Sequence, residues 1–160
     1  MDLEQLRTNI IQASLKPLSL WSPEAEALLC ATAAQESLGG KFVIQVGGGP
    51  GCGIFQMEIK THDLIWRVNL SRADRLPLVR AMLNMFNFSR IPKAQDMIWH
   101  LGYATFMARI FYLVINNPLP KTDDLDAQWA FYKLYWNTEK GAAKKEDFFR
   151  NVKKFTGIKK

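Results

Sequence analysis

Half of the ten glycines in this 160-residue chain lie within one short segment, residues 47–53, which also contains a proline. Glycine lacks a Cβ atom, so it adopts positive φ angles readily and lets the backbone approach other groups closely. Proline removes a backbone hydrogen-bond donor, and together these residues exclude a regular helix from the segment. The sequence therefore predicts a turn or hairpin tip here, within a chain whose other patterns are mainly helical.

The residues before the glycines have the features of a helix that spans residues 23–38. Ser22 is a favourable N-cap, Pro23 suits the first helical position, and Glu24 complements the helix dipole. The interior of this segment is apolar, and the glycine pair that begins at Gly39 is a usual stop signal.

Glu36 lies in the last turn of this predicted helix. The residues three, four and seven positions before it are Ala33, Thr32 and Leu29, so the glutamate shares a helix face with small and apolar side chains. Burial on such a face disfavours the charged carboxylate and raises its pKa, which a general acid near neutral pH requires. The alternative is a helix-terminal glutamate whose side chain turns to solvent.

Three interpretations fit the glycine-rich segment: a flexible hairpin tip, a loop that approaches a ligand closely, and a phosphate-binding loop. The third is disfavoured, because the segment lacks a Gly-Lys-Ser/Thr ending and no Gly-x-Gly-x-x-Gly motif opens a helix after a strand. Residues 41–46 form a short predicted strand, and residues 54–58 are placed to pair with it across the glycines.

The remaining hydrophobic periodicity predicts further helices and no domain boundary, so residues 1–160 are interpreted as a single domain of mainly α class. The apolar run at 97–115 is long enough to cross a bilayer, but Arg109 lies within it, which favours a buried central helix. Thr61 and Pro92 are predicted helix starts. The other predicted helices span residues 2–16, 76–86, 122–136 and 144–155.

The chain is basic, with a formal net charge of +6 and a pI near 9.4. A basic surface attracts polyanions, among them nucleic acids, anionic lipids and the acidic polymers of a bacterial envelope. The basic residues form no recognisable recognition helix, so nucleic acid is not expected as a partner. The chain contains only two cysteines and two histidines, so we expect neither a disulfide framework nor a metal or other cofactor.

The Glu36-Ser37 pair, followed downstream by Gly53-Ile54-Phe55-Gln56-Met57, resembles the signature of lytic transglycosylases of the lysozyme superfamily. The resemblance implies a lysozyme-like helical domain with a short β-hairpin or glycine-rich turn beside the substrate cleft. It implies that Glu36 is the catalytic acid and base, and that Ser37, Gly53, Gln56 and Met57 belong to the cleft. Residues 57–66 and 132–138 are similar to small lysozyme-like proteins of tailed phages.

Two tyrosines, Tyr103 and Tyr135, are the aromatic residues that we expect to line this cleft. A tyrosine ring can stack on a sugar, and its hydroxyl can form a hydrogen bond with it. Because most aromatic side chains of a helical domain lie in the core, burial is the alternative for both.

The number of usable carboxylates separates two mechanisms. A glycosidase that hydrolyses its substrate usually pairs two carboxylates, whereas the resemblance implies that a lytic transglycosylase works with one. Glu58 and Asp63 are the acids that follow the turn most closely, and either supplies a second carboxylate if it faces Glu36. We expect cleavage of the MurNAc–GlcNAc β-1,4 bond of peptidoglycan with a 1,6-anhydro product. A hydrolytic lysozyme and a non-catalytic phage structural or wall-binding protein are the alternatives.

The N-terminal residues contain no apolar core that follows a basic start, so no signal peptide is predicted. With the resemblance, this implies synthesis in the bacterial cytoplasm and action on the periplasmic cell wall after lysis or from the virion. The expected partners are peptidoglycan glycan strands and other phage virion proteins, and no membrane span is expected.

Overall fold

The computed structural model describes residues 1–138 and 141–156, and it is mainly helical with a small two-stranded antiparallel sheet, as the sequence predicts. Helix α1 has π-type hydrogen bonding over Gln5–Gln12 and continues as Ala13–Leu15. The strands are β1, Gly51–Cys52, and β2, Met57–Glu58. The other helices are α2, Pro23–Ser37; α3, Ile59–Ile65, extended by Trp66–Leu70; α4, Leu76–Met85, after a short turn at Ala73–Arg75; α5, Asp96–Trp99; α6, Leu101–Leu113; α7, Leu125–Phe131, extended by Tyr132–Asn137; and α8, Lys145–Thr156.

Helix α2 begins as its sequence predicts. The Ser22 hydroxyl accepts a hydrogen bond from the backbone N–H of Ala25 at 3.1 Å, and Pro23 occupies the first turn. The helix ends one residue earlier than predicted, because Leu38 adopts a left-handed conformation with φ of 51°. The N–H of Gly39 then bonds to the carbonyl of Ala33 at 2.9 Å, which closes the helix end beside Glu36.

The glycine-rich region forms a hairpin, but its pairing differs from the prediction. Strands β1 and β2 pair with each other, with Cys52 opposite Met57. The predicted strand at 41–46 is wrong, since this segment is a loop whose one bridge to the hairpin joins Ile44 to Cys52. The tight turn between the strands closes locally, with the N–H of Gln56 bonded to the carbonyl of Gly53 at 3.0 Å. Because this turn spans only a few residues, Gly51–Cys52 pairs with Met57–Glu58, and the predicted pairing across all the glycines does not form.

Two predicted helix starts are also wrong, for local reasons. Helix α3 follows β2 directly and begins at Ile59 rather than at Thr61, because Glu58 is still extended. The segment at Pro92 is not helical, and the next helix begins at Asp96. The Asp96 carboxylate accepts a hydrogen bond from the backbone N–H of Lys93 at 2.7 Å, which holds this segment as a turn.

The apolar run at 97–115 forms two helices, α5 and α6, with a break at His100. The His100 side chain accepts the N–H of Tyr103 at 3.1 Å and so caps the start of α6. Helix α6 is largely buried, as predicted, and Arg109 donates from Nε to the carbonyl of Leu20 at 2.8 Å. Across residues 1–138 and 141–156, we find no helix with the length and apolar character needed to cross a membrane.

Packing fixes the position of the glutamate end of α2. Helix α2 contacts α1, α6 and α8, and the large core cluster includes the apolar side chains of α1, α2, the hairpin and α6. A smaller cluster holds the C-terminal half of α2, and its buried members are Ala31, Ala34, Tyr132, Phe148 and Val152. Glu36 is thus anchored on a helix that is packed on several sides.

Candidate active site

An open cavity of about 610 Å³ lies beside the C-terminal end of α2. The hairpin and the loop after α2 supply one part of its lining, and the end of α7 supplies another. Its lining includes the polar and aromatic residues Glu36, Gln56, Glu58, Tyr135, Trp136 and Asn137. The sequence therefore brings its predicted acid and its predicted turn glutamine to the same cavity.

The Glu36 carboxyl is half-buried and held by one strong hydrogen bond. Tyr132 donates its hydroxyl to Glu36 Oε1 at 2.6 Å. Within the described part of the chain, Glu36 Oε2 receives no hydrogen bond, and Glu36 lines the cavity. One carboxyl oxygen is thus held by the protein, while the other has no hydrogen-bond partner among the described residues.

The environment of Glu36 favours its neutral form. Burial raises the pKa of Glu36 from 4.5 to about 7, against the opposing effect of the Tyr132 hydrogen bond. Burial and the nearby Glu36 raise the pKa of Tyr132 as well, so its hydroxyl stays protonated and remains a donor. Near neutral pH the carboxyl therefore exists both as an acid and as a base, as proton transfer in two directions requires.

Gln56 and Met57 reach the cavity from the hairpin. Gln56 adopts a φ of 50°, which is uncommon for a residue with a side chain. Its side-chain Nε2 donates to the carbonyl of Gly53 at 2.7 Å, so the turn itself fixes the orientation of the amide. This bond leaves the amide oxygen as the acceptor that Gln56 can offer to a ligand.

Ser37 and Gly53 lie behind the cavity and do not line it. Ser37 is fully buried, and its hydroxyl donates to the carbonyl of Ile54 at 2.6 Å and accepts the N–H of Gly40 at 2.9 Å. Gly53 is also buried and has a φ of 72°. The structure therefore contradicts direct substrate contact by these two residues, which instead join α2 to the hairpin.

The prediction that Tyr103 faces the cleft is wrong. Tyr103 is fully buried on α6, and its hydroxyl accepts a hydrogen bond from Trp66 Nε1 at 2.8 Å and bonds to His62 Nε2 at 2.7 Å. This tyrosine is a core residue whose polar atom is satisfied within the protein. Tyr135 does line the cavity, and its hydroxyl is hydrogen-bonded to the Asn117 side chain.

The two candidate second carboxylates differ in position. Glu58 lines the cavity and its side chain is exposed. Asp63 is not among the cavity residues, and its carboxylate accepts a hydrogen bond from His62 Nδ1 at 2.8 Å. Burial lowers the pKa of His62, against the opposing effect of Asp63. Because Asp63 does not line the cavity and pairs with His62, it does not supply a second carboxylate to Glu36 there.

Sequence reasoning did not identify Tyr132, Phe111, Trp136 or Asn137 as site residues. The Tyr132 hydroxyl is the partner of Glu36, and the other three line the cavity, with the rings of Phe111 and Trp136 4.7 Å apart. Tyr132, Tyr135 and Trp136 are spaced by three and four residues, which places them on one helix face. This spacing was the sequence signal that could have identified these residues. It does not by itself distinguish aromatic residues that line a cleft from aromatic residues in the core.

The raised pKa of Glu36 predicts a pH-dependent stability. Glu36 holds its proton in the folded protein up to about pH 7, but in the unfolded chain only up to about pH 4.5. The contribution of Glu36 to the free energy of unfolding is therefore fully present below pH 4.5 and is lost as the pH rises through 7. The loss amounts to about 3 kcal/mol for a shift of this size. Urea unfolding of the parent and of Glu36→Gln from pH 4 to 8 measures the difference, which isolates Glu36 from other titrating groups.

We expect the glutamine variant to gain stability relative to the parent across this pH range. An equal pH dependence in both proteins would contradict the burial of a titrating Glu36 carboxyl.

Comparison of the chain with protein-family models, with curated proteins and with solved structures finds no match. The function is therefore inferred from the cavity residues and from the motif resemblance.

Proposed function

We propose that this protein cleaves the MurNAc–GlcNAc β-1,4 bond of peptidoglycan as a single-glutamate lytic transglycosylase with a lysozyme-like fold. One observation carries the proposal: the pKa of Glu36 is about 7, and its carboxyl lies in an open cavity with one oxygen held by Tyr132. The mainly helical fold and the hairpin beside the cavity support it. The Glu36-Ser37 and Gly53-to-Met57 motifs direct the proposal to a wall polysaccharide.

In the first step, neutral Glu36 donates its proton to the oxygen of the glycosidic bond. The bond between the anomeric carbon of the muramic acid and this oxygen breaks, and the leaving sugar departs with a hydroxyl group. Positive charge develops on the muramic acid ring, next to the carboxylate that Glu36 has become. The Tyr132 hydroxyl continues to donate to Glu36 Oε1, so the carboxylate keeps its orientation.

In the second step, the Glu36 carboxylate accepts the proton of the C6 hydroxyl of the same muramic acid. The C6 oxygen bonds to the anomeric carbon, which gives the 1,6-anhydro sugar and returns Glu36 to its neutral form. No water is consumed. A carboxyl with a pKa near 7 serves both steps at neutral pH, because neither protonation state is strongly disfavoured.

Hydrolysis by a lysozyme mechanism is the second candidate, because Glu58 lines the same cavity as Glu36. In this mechanism a second carboxylate activates water or attacks the anomeric carbon. The two mechanisms differ in whether an oxygen atom from water enters the product.

We expect digestion of purified peptidoglycan in heavy-oxygen water to yield anhydro-muropeptides without the isotope, as measured by mass spectrometry. Glu58→Gln is expected to keep the same products and nearly the parental rate. Reducing ends that carry heavy oxygen and disappear in Glu58→Gln would support the lysozyme mechanism instead.

We further propose that the partners are peptidoglycan glycan strands and, in a phage particle, other virion proteins. The cell wall would be reached after lysis or from the virion. The basic charge of the chain suits an envelope rich in carboxylates.

A further inference from the structure

The extension of α7 contains an unusual helical turn beside Glu36. The segment Tyr132–Asn137 has π-type hydrogen bonding, which joins residues five positions apart and so places Asn137 one turn beyond Tyr132. Turns of this type occur frequently at functional sites. Lys133 lies in the same turn, and it is not among the residues that line the Glu36 cavity, whereas Asn137 and Gly141 do line it.

The Lys133 ammonium group holds two of these cavity residues. Its Nζ donates to Asn137 Oδ1 at 2.8 Å and to the backbone carbonyl of Gly141 at 2.7 Å. The fit is close, because a Cβ atom on Gly141 would collide with the backbone oxygen of Asn137. A lysine ammonium has donors only, so the amide oxygen of Asn137 must face Lys133 and the amide NH₂ group must face away from it. Lys133 therefore fixes the orientation of the Asn137 amide.

The Asn137 amide in turn acts on Tyr132. Burial and the nearby Glu36 raise the pKa of Tyr132, and a hydrogen bond from the Asn137 side chain acts in the opposite direction. A bond that lowers the pKa of a tyrosine is one donated to its oxygen, because it favours the phenolate. The Tyr132 hydroxyl thus accepts from Asn137 and directs its own proton to Glu36 Oε1 at 2.6 Å. We call this series, in which Lys133, Asn137 and Tyr132 each donate to the next group and Glu36 accepts, the hydrogen-bond relay.

The direction of the relay decides which oxygen of neutral Glu36 carries the proton. Oε1 accepts the Tyr132 hydroxyl proton, so a second proton on Oε1 would point at that hydroxyl and break the bond. The acid proton is therefore favoured on Oε2. This oxygen accepts no hydrogen bond within residues 1–138 and 141–156, and it is not one of their buried unpaired atoms.

We propose that Lys133 is a positioning residue that fixes the direction of the relay and so places the acid proton of Glu36 on Oε2. Without Lys133, the Asn137 amide can turn over, and the Tyr132 hydroxyl can then accept a proton from Oε1. The proton would leave the oxygen that serves the reaction. The catalytic part of this inference rests on the proposed function, but the direction of the relay can be tested without substrate.

The other titratable groups that face Glu36 are Tyr112, from α6, and Glu58, from the hairpin. The Tyr112 hydroxyl donates to Thr32 at 2.7 Å, because the Thr32 hydroxyl gives its own proton to a backbone carbonyl of α2. Burial raises the pKa of Tyr112, so this hydroxyl stays neutral. Glu58 lines the same cavity with an exposed side chain, and α8 covers this part of α2 with apolar residues. In the part of the chain that the structure describes, Tyr132 is the donor to Glu36.

The test is the pH titration of the Glu36 side-chain carboxyl by carbon-13 NMR, with the full chain and no substrate. In Lys133→Met we expect the titration midpoint to rise by about half a pH unit, because the carboxylate loses part of the relay that stabilises it. Lys133→Arg keeps donors at this position and should restore a midpoint close to that of the parent. Lys60→Met is the matched control, because it removes an exposed lysine that is outside the relay.

Tyr132→Phe shows whether Lys133 acts through Tyr132. This change removes the hydroxyl that joins Asn137 to Glu36, so Lys133→Met should cause no further shift of the midpoint in the Tyr132→Phe background. An equal shift in both backgrounds, or the same shift in Lys60→Met, would overturn the proposal in favour of a general effect of charge.

Folding is checked by the thermal midpoint of each variant. A Lys133→Met protein that loses stability but keeps the parental titration of Glu36 would overturn the proposal, because Lys133 would then serve the fold alone.

Wall lysis, measured separately, tests the catalytic part. We expect Lys133→Met to lower kcat on the order of fivefold and to change KM less, because the proton is misplaced while Glu36 remains in the cavity. If the parent does not lyse walls but its Glu36 titration depends on Lys133 as expected, the proposed function fails and the direction of the relay is supported. If the parent lyses walls and its Glu36 titration is independent of Lys133, the relay is overturned and the proposed function is supported.

Discussion

Replacing Glu36 with glutamine is expected to lower the rate of peptidoglycan lysis at least about a hundredfold, because it removes the general acid. Glutamine has nearly the same shape as the neutral glutamic acid that the site favours. Tyr132 still finds a carbonyl oxygen to which its hydroxyl can donate, at the position where Glu36 Oε1 accepts that bond at 2.6 Å. The variant should therefore fold normally, and the loss is one of chemistry. Clearing of purified walls, followed by turbidity, measures it.

Glu58→Gln is the matched control for this experiment, since it removes a carboxylate from the same cavity. If the mechanism uses Glu36 alone, we expect Glu58→Gln to lyse walls at nearly the parental rate. Normal clearing by folded Glu36→Gln would remove Glu36 from its assigned role. A parent protein that binds walls without clearing them would instead support a non-catalytic structural or wall-binding protein.

The sequence was sufficient to predict α2, and it favoured burial of Glu36 no more than a solvent-facing side chain, because only the helix depends wholly on neighbours along the chain. The Ser22 cap, the proline after it and the apolar residues three and four positions before Glu36 act within one helix. The contact that Tyr132 makes with Glu36 comes from the extension of α7, so it depends on tertiary packing that the helix face alone does not specify. The pKa shift expected from that face is present in the structure.

The position of each tyrosine could not be predicted from the sequence. Tyr103 and Tyr135 both lie in predicted helices with aromatic residues nearby, but α6 is largely buried and α7 ends at the cavity. Tyr103 is therefore enclosed by the aromatic residues of several segments, and Tyr135 remains at the surface of the site. Which face of a helix meets the core depends on tertiary packing, which local periodicity leaves open.

The register of the hairpin could not be predicted from the sequence for a related reason. Residues 41–46 and the strand residues both satisfy weak strand signals, and a two-residue ladder leaves almost no pattern in the sequence. The decisive interactions are tertiary: Ser37 binds the carbonyl of Ile54, and Gly53 lies against α5. The motif resemblance had implied that Ser37 and Gly53 belong to the cleft, because the resemblance identifies the segment but does not show which side chains in it are buried.

Gly53→Val is expected to destabilise the hairpin and with it the cavity. Gly53 has a φ of 72°, and a Cβ atom at this position would lie 2.5 Å from the backbone carbonyl oxygen of Met97. The left-handed conformation costs a branched residue about 1–2 kcal/mol, and the collision with backbone adds about 1–3 kcal/mol. Urea unfolding and wall clearing measure the two effects. Activity should fall even at temperatures where the variant remains folded, because Gln56 bonds to the carbonyl of Gly53.

The Gly47→Val variant distinguishes the cost of the steric collision from the cost of a positive φ angle. Gly47 has a φ of 87°, but a Cβ atom there would meet no atom of the described residues within 4 Å. This variant therefore carries the conformational cost alone, and it should unfold at a higher urea concentration than Gly53→Val. Equal losses of stability in the two variants would show that the hairpin does not depend on its close approach to Met97. A larger loss at Gly53, with activity reduced in proportion, would mean that α5 supports the turn that holds Gln56 at the cavity.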